Sequence, residues 1–416
     1  MQQFDPDFMY PPVKNGSITE IYPWVGFLSD HIDFFKILIG HFFGADYIKK
    51  DQEIKKFLKA ENVYLLDSGR SSIFLVLKAI NIQPGEEVII SAFNCPAVAE
   101  AIVMTGAVVK FVDVNQTGGL SIEGLEKALS PKTRAVLATN VFGIVDSLEL
   151  IADYCKNNKL IFINDLAQAF ENPTIDFRLN TFGDACIYSF GPEKQVFALG
   201  GGALVCSENL NDKVKRLLPK NQVSFIQLLT VLVSRYKYYL TFLVLRYSKS
   251  FYSFFVSIGI VEKFSDHKGV EIDIHPIIPS LMHPVQKSVL VRKLKHFVTE
   301  DLQTRHNFKI LKQSVNAHFL DAKINNHLYA TILLDATSRY EFSRYLSEKG
   351  IQSVWNYIPL YYSKVLHANP SNFPNTEKLW RQVLSVPFRY PIKQSRVEQI
   401  ASIINSYHGY ANKKNQ

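Results

Sequence analysis

The sequence lacks the short motifs that mark many nucleotide-, metal- and serine-dependent enzymes. It contains no GxGxxG, GxxxxGKS/T, HExxH or GxSxG segment. These absences argue against the corresponding dinucleotide, P-loop, metalloprotease and hydrolase sites. The chain of 416 residues has four cysteines, and no two of them form a CxxC pair. We therefore expect neither a disulfide framework nor a metal site, and a reducing compartment is favoured.

Signals for export and membrane insertion are also missing. The first residues, MQQFDPDFMYPP, carry acids where a signal peptide carries bases. No stretch reaches the roughly 18 uninterrupted apolar residues of a plain membrane span. A cytoplasmic location is therefore expected. With 47% hydrophobic and 20% charged residues, the chain can bury a full core, and its length predicts two or three domains.

From about residue 60 the sequence alternates short apolar runs with amphipathic stretches of helical spacing. The strand-like runs are 63–69, 86–93, 107–114, 134–143, 160–165, 185–190 and 201–208. This alternation predicts an α/β fold whose mainly parallel sheet is covered on both faces. A long amphipathic pattern over 283–315 predicts a connecting helix, and the residues after it return to an α+β pattern.

These patterns divide the chain into five parts. The predicted parts are an N-terminal arm over 1–60, a large α/β domain over 61–212, a basic, aromatic helical insertion over 213–265, a linking helical region over 266–318 and a small C-terminal α+β domain over 319–416.

Two predicted strand ends carry residues that suit a ligand. Residues 68–72, SGRSS, lie where a strand ends and a helix begins. Hydroxyls and free N–H groups at a helix N-terminus suit a phosphate, and simple N-capping by Ser71 is the alternative. Asp165 directly follows a buried apolar run, at an edge where open sheets bind ligands. A cation such as a protonated pyridine would keep it ionised, and capping of the next helix is the alternative.

Lys194 follows a Gly-Pro turn in SFGPEK (189–194) and precedes a glycine turn. In a partly desolvated cleft a lysine can form a Schiff base with an aldehyde, and a solvated loop lysine is the alternative. Cys95 lies at another strand end, but no His is nearby to activate it, so packing is favoured. A phosphate cradle, a buried acid and a Schiff-base lysine are together the parts that pyridoxal phosphate requires.

The same residues resemble a known family. SGRSS matches a phosphate-binding SGTSA turn, NDLAQAF matches an EDAAQA stretch and SFGPEK matches an SFxxxK segment. The chain is thus similar to the DegT-type (StrS-like) sugar aminotransferases of the pyridoxal-phosphate fold-type I superfamily. The resemblance implies a catalytic Lys194 that holds the cofactor aldehyde, with Asp165 at the pyridine nitrogen and Gln168 beside the ring hydroxyl. The full cofactor-binding set that it implies is Gly69, Arg70, Ser71, Cys95, Asp165, Gln168, Ser189 and Lys194.

The implied function is transamination by a homodimer, with glutamate as amino donor and a keto sugar on a nucleotide as acceptor, in surface-polysaccharide synthesis. Retention of Lys194 argues against the sugar dehydratases of the family, in which that lysine is replaced. Two alternatives stay open: a non-catalytic membrane-associated sensor or scaffold that kept the fold, and a pyridoxal-phosphate enzyme that acts on an amino acid or a lipid-linked substrate.

Three positions depart from the family pattern. Cys95 stands where an aromatic ring usually covers the pyridine, and Glu193 stands where a Thr or Ser usually precedes the lysine. IIPSL (277–281) stands where a GYNxR-type segment of the neighbouring subunit usually lies. The departures concern ring stacking and phosphate contacts across the dimer.

Residues 213–261 contain no acid and eight bases, a number equal to the formal net charge of +8. The apolar and aromatic runs between the bases favour an element in a membrane interface, with the bases meeting anionic lipid at the inner face of the cytoplasmic membrane. The alternative is an insertion buried against a dimer partner, with its bases snorkelling outward. Nucleic acid is not expected, because the aromatics come in blocks rather than as spaced stacking platforms.

Overall fold

A computed structural model describes residues 48–175, 178–234, 257, 270–322, 324–325, 329–335, 339–351, 353–388 and 392–414 of the chain. Most of the predicted N-terminal arm, and the basic segment after residue 234 apart from residue 257, lie outside the described residues. Within the described ranges, no helix combines the length and the apolar character needed to cross a bilayer.

The described residues form both helices and short strands. The helices are α1 Ile48–Leu58, α2 Gly69–Ala79, α3 Pro96–Val103, α4 Ile122–Ala128, α5 Leu148–Asn157, α6 Glu208–Leu217, α7 Pro284–Ser314, α8 Arg339–Glu348, α9 Pro374–Gln382 and α10 Gln394–Lys414. The strands are β1 Val63–Leu66, β2 Glu87–Ser91, β3 Val108–Val112, β4 Thr133–Thr139, β5 Ile144–Val145, β6 Ile161–Asp165, β7 Ala185–Ser189, β8 Gly202–Cys206, β9 His318–Phe319, β10 Ile324–Asn325, β11 Tyr329–Leu333 and β12 Val383–Pro387. A further helix begins at 225 and is described as far as 234.

The main sheet has seven strands in the order β1-β8-β7-β6-β4-β2-β3. The strands β7, β6, β4, β2 and β3 run parallel, whereas β8 is antiparallel to both of its neighbours, β7 and β1. Because β1 therefore runs in the same direction as β7, six strands have their carboxyl ends at one edge. The predicted mainly parallel sheet is confirmed.

Both faces of this sheet are covered, which explains why its strands read as nearly continuous apolar runs. Successive side chains of a strand point to opposite faces, and in β6 Phe162 packs into one core while Ile163 packs into the other. Helices α1, α5 and the first half of α7 cover the first face, and α2, α3 and α6 cover the second.

The long helix α7 begins with a capping box at His283. The His283 side chain accepts a hydrogen bond from the Val285 N–H at 3.1 Å, and Gln286 accepts one from the His283 N–H at 2.9 Å. Gln286 also donates to the Leu199 carbonyl at 3.1 Å, so the start of α7 fixes the loop that carries Lys194. The helix predicted over 283–315 is confirmed with nearly the same limits.

A second, antiparallel sheet has the order β12-β11-β9. It packs with α8, α10 and the last turns of α7 into a core of its own. The predicted strand and helices of this C-terminal region are found, and the domain boundaries that the sequence suggested stay predictions.

Candidate active site

Polar residues gather at the edge where the parallel strands of the main sheet end. Thr139 ends β4, Asp165 ends β6 and Ser189 ends β7, and Thr139 lies directly opposite Asp165 in the register of the two strands. The loop that joins β7 to β8 carries Lys194. Open α/β sheets bind ligands at this edge, so the topology brings the predicted site residues to one place.

The turn after β1 holds the residues that the sequence predicts to form a phosphate cradle. Ser68 Oγ accepts a hydrogen bond from the Ser71 N–H at 3.1 Å and donates to Ser71 Oγ at 3.0 Å. Ser68 is therefore the N-cap of α2, and the alternative that gave this role to Ser71 is wrong. Ser189 lies against the same turn, because a methyl group at Gly69 would be 3.2 Å from its Cβ. Gly69, Ser71 and Ser189 are thus neighbours at the N-terminus of α2.

Gly202 allows β8 to pass directly against this turn. A methyl group at Gly202 would lie 2.4 Å from the Ser68 carbonyl carbon and 2.5 Å from the Gly69 nitrogen. Both neighbours are backbone atoms, which cannot move aside as a flexible side chain can. Gly202, the last of three successive glycines over 200–202, is therefore required for the close approach of two backbone segments.

Asp165 is buried, with 2% of its surface exposed. Its Oδ1 accepts a hydrogen bond from the Ala167 N–H at 3.0 Å, and its Oδ2 accepts one from the Thr139 hydroxyl at 3.0 Å. Burial raises the pKa of this carboxyl, and the Ala167 bond, the positive charge of Lys194 and the Thr139 bond oppose the shift. The Ala167 bond closes a local turn, and among the described residues no helix begins there, so the alternative that Asp165 caps the next helix is wrong. The second oxygen faces the neighbouring strand.

Lys194 lies partly buried in the loop between β7 and β8. Its N–H donates to the Gly191 carbonyl at 3.1 Å, and the Tyr329 hydroxyl donates to the Glu193 carbonyl at 3.4 Å. The Lys194 charge acts on both the Asp165 carboxyl and the Cys95 thiol. The structure therefore brings Lys194, Asp165 and Cys95 into one environment.

Gln168 is buried with both ends of its amide engaged. Its Oε1 accepts a hydrogen bond from the Phe142 N–H at 2.8 Å, and its Nε2 donates to the Tyr357 hydroxyl. Phe142 has a φ of 61°, a left-handed conformation that is uncommon for a bulky residue and that directs its N–H at Gln168. Tyr357 in turn packs edge-to-face on Phe93, with 5.9 Å between the ring centroids.

Cys95 is the N-cap residue of α3, and its N–H donates to Asn94 Oδ1 at 2.7 Å. Burial raises the pKa of the Cys95 thiol, and the nearby Lys194 charge opposes that shift. The thiol is therefore neutral at physiological pH, which agrees with a packing role and not with a nucleophile.

Arg70 extends away from the cradle to an ion pair. Its Nη1 lies 2.8 Å from Glu100 Oε2, and Glu100 Oε1 accepts from the Asp273 N–H at 3.0 Å. The predicted contact of Arg70 with a phosphate stays a prediction. Ser280, in the segment 277–281, exchanges two hydrogen bonds with Asp67 at 2.9 and 3.0 Å, so this segment is anchored beside the cradle of its own chain.

Sequence reasoning missed Thr139 and Asn140, which follow the apolar run of β4. Asn140 Nδ2 donates to Asn164 Oδ1 and to the Asp165 carbonyl, both at 2.9 Å. The rule that selected Asp165, a polar residue directly after a buried strand, applies equally to this pair. The contact of Tyr357 with Gln168 has no signal in the sequence.

Comparison with known proteins places these features in a family. The profile of the DegT/DnrJ/EryC1/StrS aminotransferase family matches residues 44–224 and 280–405. The dTDP-4-dehydro-2,3,6-trideoxy-D-glucose 4-aminotransferase of Saccharopolyspora spinosa is 23% identical over 398 residues, which are 92% of this chain and 91% of that protein. The GDP-perosamine synthase of Vibrio cholerae is 30% identical over 174 residues, which are 41% of this chain and 47% of that protein.

A solved structure shares the fold over almost the whole chain. NtdA from Bacillus subtilis, with bound cofactor PMP, has a TM-score of 0.66 at 17% identity, covering 96% of this chain and 86% of that one. The predicted α/β fold of the fold-type I aminotransferases is confirmed. The matched residues include the cradle, Asp165 and Lys194, and the family's name gives the reaction class that the sequence predicted. On the extent of that match, this chain belongs to the DegT/DnrJ/EryC1/StrS aminotransferase family.

Proposed function

We propose that this protein, which its family makes a pyridoxal-phosphate-dependent aminotransferase, moves an amino group from glutamate to a keto sugar carried on a nucleotide, in surface-polysaccharide synthesis. One observation carries the proposal: buried Asp165 ends β6 at the same sheet edge where β7 ends and its following loop carries Lys194. The cradle of Ser68, Gly69 and Ser71 begins its helix at the same edge. A homodimer is part of the proposal and rests on the resemblance to the family.

The residues at this edge fit pyridoxal phosphate by their chemistry. The hydroxyls of Ser71 and Ser189 and the N-terminus of α2 are donors suited to a phosphate. Asp165 meets a donor at each oxygen, which favours the carboxylate that a pyridine N–H requires. The primary amine of Lys194 suits an aldehyde carbon. When bound, the cofactor supplies an electron sink for the carbon that loses or gains its amino group.

Each of these residues then has a defined task. Asp165 accepts the pyridine N–H in a buried setting, where water screens the attraction little. Lys194 Nζ removes a proton from the reacting carbon and returns it, a type of step that contributes about 10²–10⁴-fold to a rate. Gln168 and Tyr357 close the neighbouring side, because their mutual hydrogen bond fixes both side chains.

The expected acceptor draws support from the relatives. The names of the two described above contain a dTDP-linked 4-dehydro sugar and GDP-perosamine. Glutamate as the donor follows from the resemblance to the family. A panel of keto-sugar nucleotides, incubated with glutamate and followed by mass spectrometry, identifies the acceptor.

The test compares Lys194→Ala with Lys156→Ala, a change at an exposed lysine on α5. Wild type and Lys156→Ala should turn yellow with pyridoxal phosphate, change colour when glutamate is added and aminate a keto sugar. Lys194→Ala should lose turnover by at least about 100-fold. A wild-type protein that stays colourless would favour the non-catalytic sensor or scaffold. Colour with products only from amino acids or lipid-linked compounds would favour the other enzymatic alternative.

We further propose that the basic segment 213–261 binds the anionic inner face of the cytoplasmic membrane. The residues of this segment that the structure describes support membrane binding. Lys213, Lys215 and Arg216 are exposed on α6. The helix at 225–234 buries Leu228 and Leu232, whereas Ile226, Leu229 and Val233 are 75%, 37% and 53% exposed. Spacings of three and four residues put the exposed three on one side of the helix, and the family profile does not match 225–279.

A further inference from the structure

Three buried side chains form a directed hydrogen-bond chain that ends on Asp165. The Cys95 N–H donates to Asn94 Oδ1 at 2.7 Å, and Asn94 Nδ2 donates to Thr139 Oγ1 at 3.1 Å. Thr139 Oγ1 donates to Asp165 Oδ2 at 3.0 Å. Asn94, Thr139 and Asp165 are 0%, 5% and 2% exposed, so solvent competes little for these bonds.

The direction of each bond follows from groups that can only donate. A backbone N–H cannot accept, so the Asn94 atom that faces Cys95 is the carbonyl oxygen. The other end of the amide is then the NH₂ group, which cannot accept either. Thr139 Oγ1 must therefore accept from Asn94, and the single hydroxyl proton of Thr139 points at Asp165.

This arrangement distinguishes the two protonation states of Asp165. As a carboxylate, Asp165 accepts from Thr139 at one oxygen and from the Ala167 N–H at the other. If Asp165 carried a proton on Oδ2, the Thr139 hydroxyl would lose its acceptor. If it carried the proton on Oδ1, that proton would face the Ala167 N–H, which is itself a donor. Hydrogen bonds to the charged form favour that form, and an unpaired buried donor is costly.

We propose that Asn94 and Thr139 are positioning residues, which hold Asp165 as an oriented carboxylate ready to accept the pyridine N–H. The role at the pyridine rests on the proposed function. The ionisation of Asp165, in contrast, is a property of the cofactor-free protein and can be measured by itself. Among the described residues, the titratable groups around Asp165 are Lys194, Cys95 and Tyr357, with Glu193 close to the last two, and every variant below retains them.

The decisive comparison is Thr139→Val, which removes the hydroxyl at nearly constant volume, against Thr139→Ser, which keeps it. Burial raises the pKa of Asp165 in the folded protein above its value in the unfolded chain. The free energy of unfolding therefore falls as pH rises through the folded pKa, because the folded protein must then hold a buried anion. Loss of a donor to the anion enlarges this fall. Lost packing, in contrast, does not depend on pH.

The unfolding constant of each cofactor-free variant is therefore measured from about pH 8 down to the lowest pH at which the fold persists. For Thr139→Val, the unfolding constant divided by the wild-type value should grow about tenfold with rising pH. For Thr139→Ser, this ratio should not change with pH. If Thr139→Val does not fold, Thr139→Ala replaces it, since its cavity adds only a pH-independent cost. Introduced into wild type, Asn94→Ala should give part of the pH dependence that Thr139→Val gives. Introduced into Thr139→Val, it should add no further pH dependence.

A second readout is the Kd for pyridoxal phosphate, which should rise about tenfold in Thr139→Val and return in Thr139→Ser. The two readouts separate the inference from the proposed function. A pH-flat ratio for Thr139→Val, in a protein that binds the cofactor, overturns the hydrogen-bond chain and leaves the function standing. If the ratio for Thr139→Val depends on pH but the wild-type protein never binds pyridoxal phosphate, the oriented carboxylate is supported and the proposed function is rejected.

Discussion

The side chain of Gln168 joins the end of β6 to the segment before α9 by donating a hydrogen bond to the Tyr357 hydroxyl. Its carbonyl oxygen is held by the Phe142 N–H at 2.8 Å, so the orientation of the amide is fixed. Gln168 is 1% exposed, and water cannot readily replace a lost partner. A residue almost two hundred positions away in the chain, at 357, therefore shapes the surroundings of Asp165.

Tyr357→Phe should weaken both the fold and the cofactor site. The change leaves a buried donor of Gln168 unpaired, at a cost of about 1–3 kcal/mol in the free energy of unfolding. Tyr154→Phe is the matched control, because it removes a hydroxyl that donates to the Leu125 carbonyl at 3.2 Å, away from the site. Denaturation and pyridoxal-phosphate titration check the pair. Equal cofactor affinity in the two variants would show that Gln168 and Tyr357 are structural only.

Gly202→Ala should damage the fold at the phosphate cradle. The new methyl group would meet backbone atoms of Ser68 and Gly69 at 2.4–2.6 Å, so we expect a loss of about 3 kcal/mol in the free energy of unfolding. In Gly191→Ala the nearest atoms would be side-chain atoms of Ser189 and Lys194, at 3.7 and 3.9 Å, so that variant should keep its stability. Comparable denaturation midpoints for the two variants would contradict the close approach of β8 to the turn.

Much of the fold follows from local signals in the sequence. The strand LIFIND was predictable because a strand buried on both faces is apolar throughout, and the start of α7 at Pro284 was predictable because proline suits the first helical turn. The position of Asp165 followed from the same logic, since polar residues after buried strands lie at the ligand edge of such sheets.

The contacts within the site were less predictable, because they depend on tertiary structure. Ser68 and Ser71 are equally good capping residues by type, and only the exact start of α2 decides between them. Arg70 suits a phosphate by charge, yet its partner in the structure is Glu100, thirty residues later. Thr139 and Asp165 become neighbours through the register of β4 and β6, which no local pattern specifies.

The Cys95 thiol should react slowly with alkylating agents at neutral pH. Burial raises its pKa above the ordinary value, and the thiolate is the reactive form. Below that pKa the thiolate fraction, and with it the alkylation rate, should rise about tenfold for each pH unit. Mass spectrometry of the peptide that contains Cys95, sampled over time at several pH values, gives the rate. A plateau near neutral pH would instead indicate a thiolate stabilised by Lys194 and would revive a chemical role for Cys95.

The membrane proposal predicts that wild-type protein floats with anionic vesicles and not with neutral ones. Each exposed apolar side chain that enters the interface contributes up to about 1.5–3 kcal/mol, and each base near the surface contributes about 1 kcal/mol. Ile226→Glu/Val233→Glu and the charge reversal Arg235→Glu/Lys237→Glu should therefore both reduce flotation. Leu150→Glu, at a 60% exposed position on α5, is the control that changes an apolar surface residue elsewhere and should float as wild type does.

The same variants separate the membrane from the dimer partner as the binding surface of this segment. Lipid binding depends on both the apolar side chains and the bases, so both double variants should float less than wild type while light scattering shows an unchanged oligomer. Burial against a partner depends mainly on the apolar side chains, because snorkelling bases stay in water. A monomeric Ile226→Glu/Val233→Glu protein, together with a charge-reversed protein that floats as wild type does, would therefore assign the segment to the dimer interface.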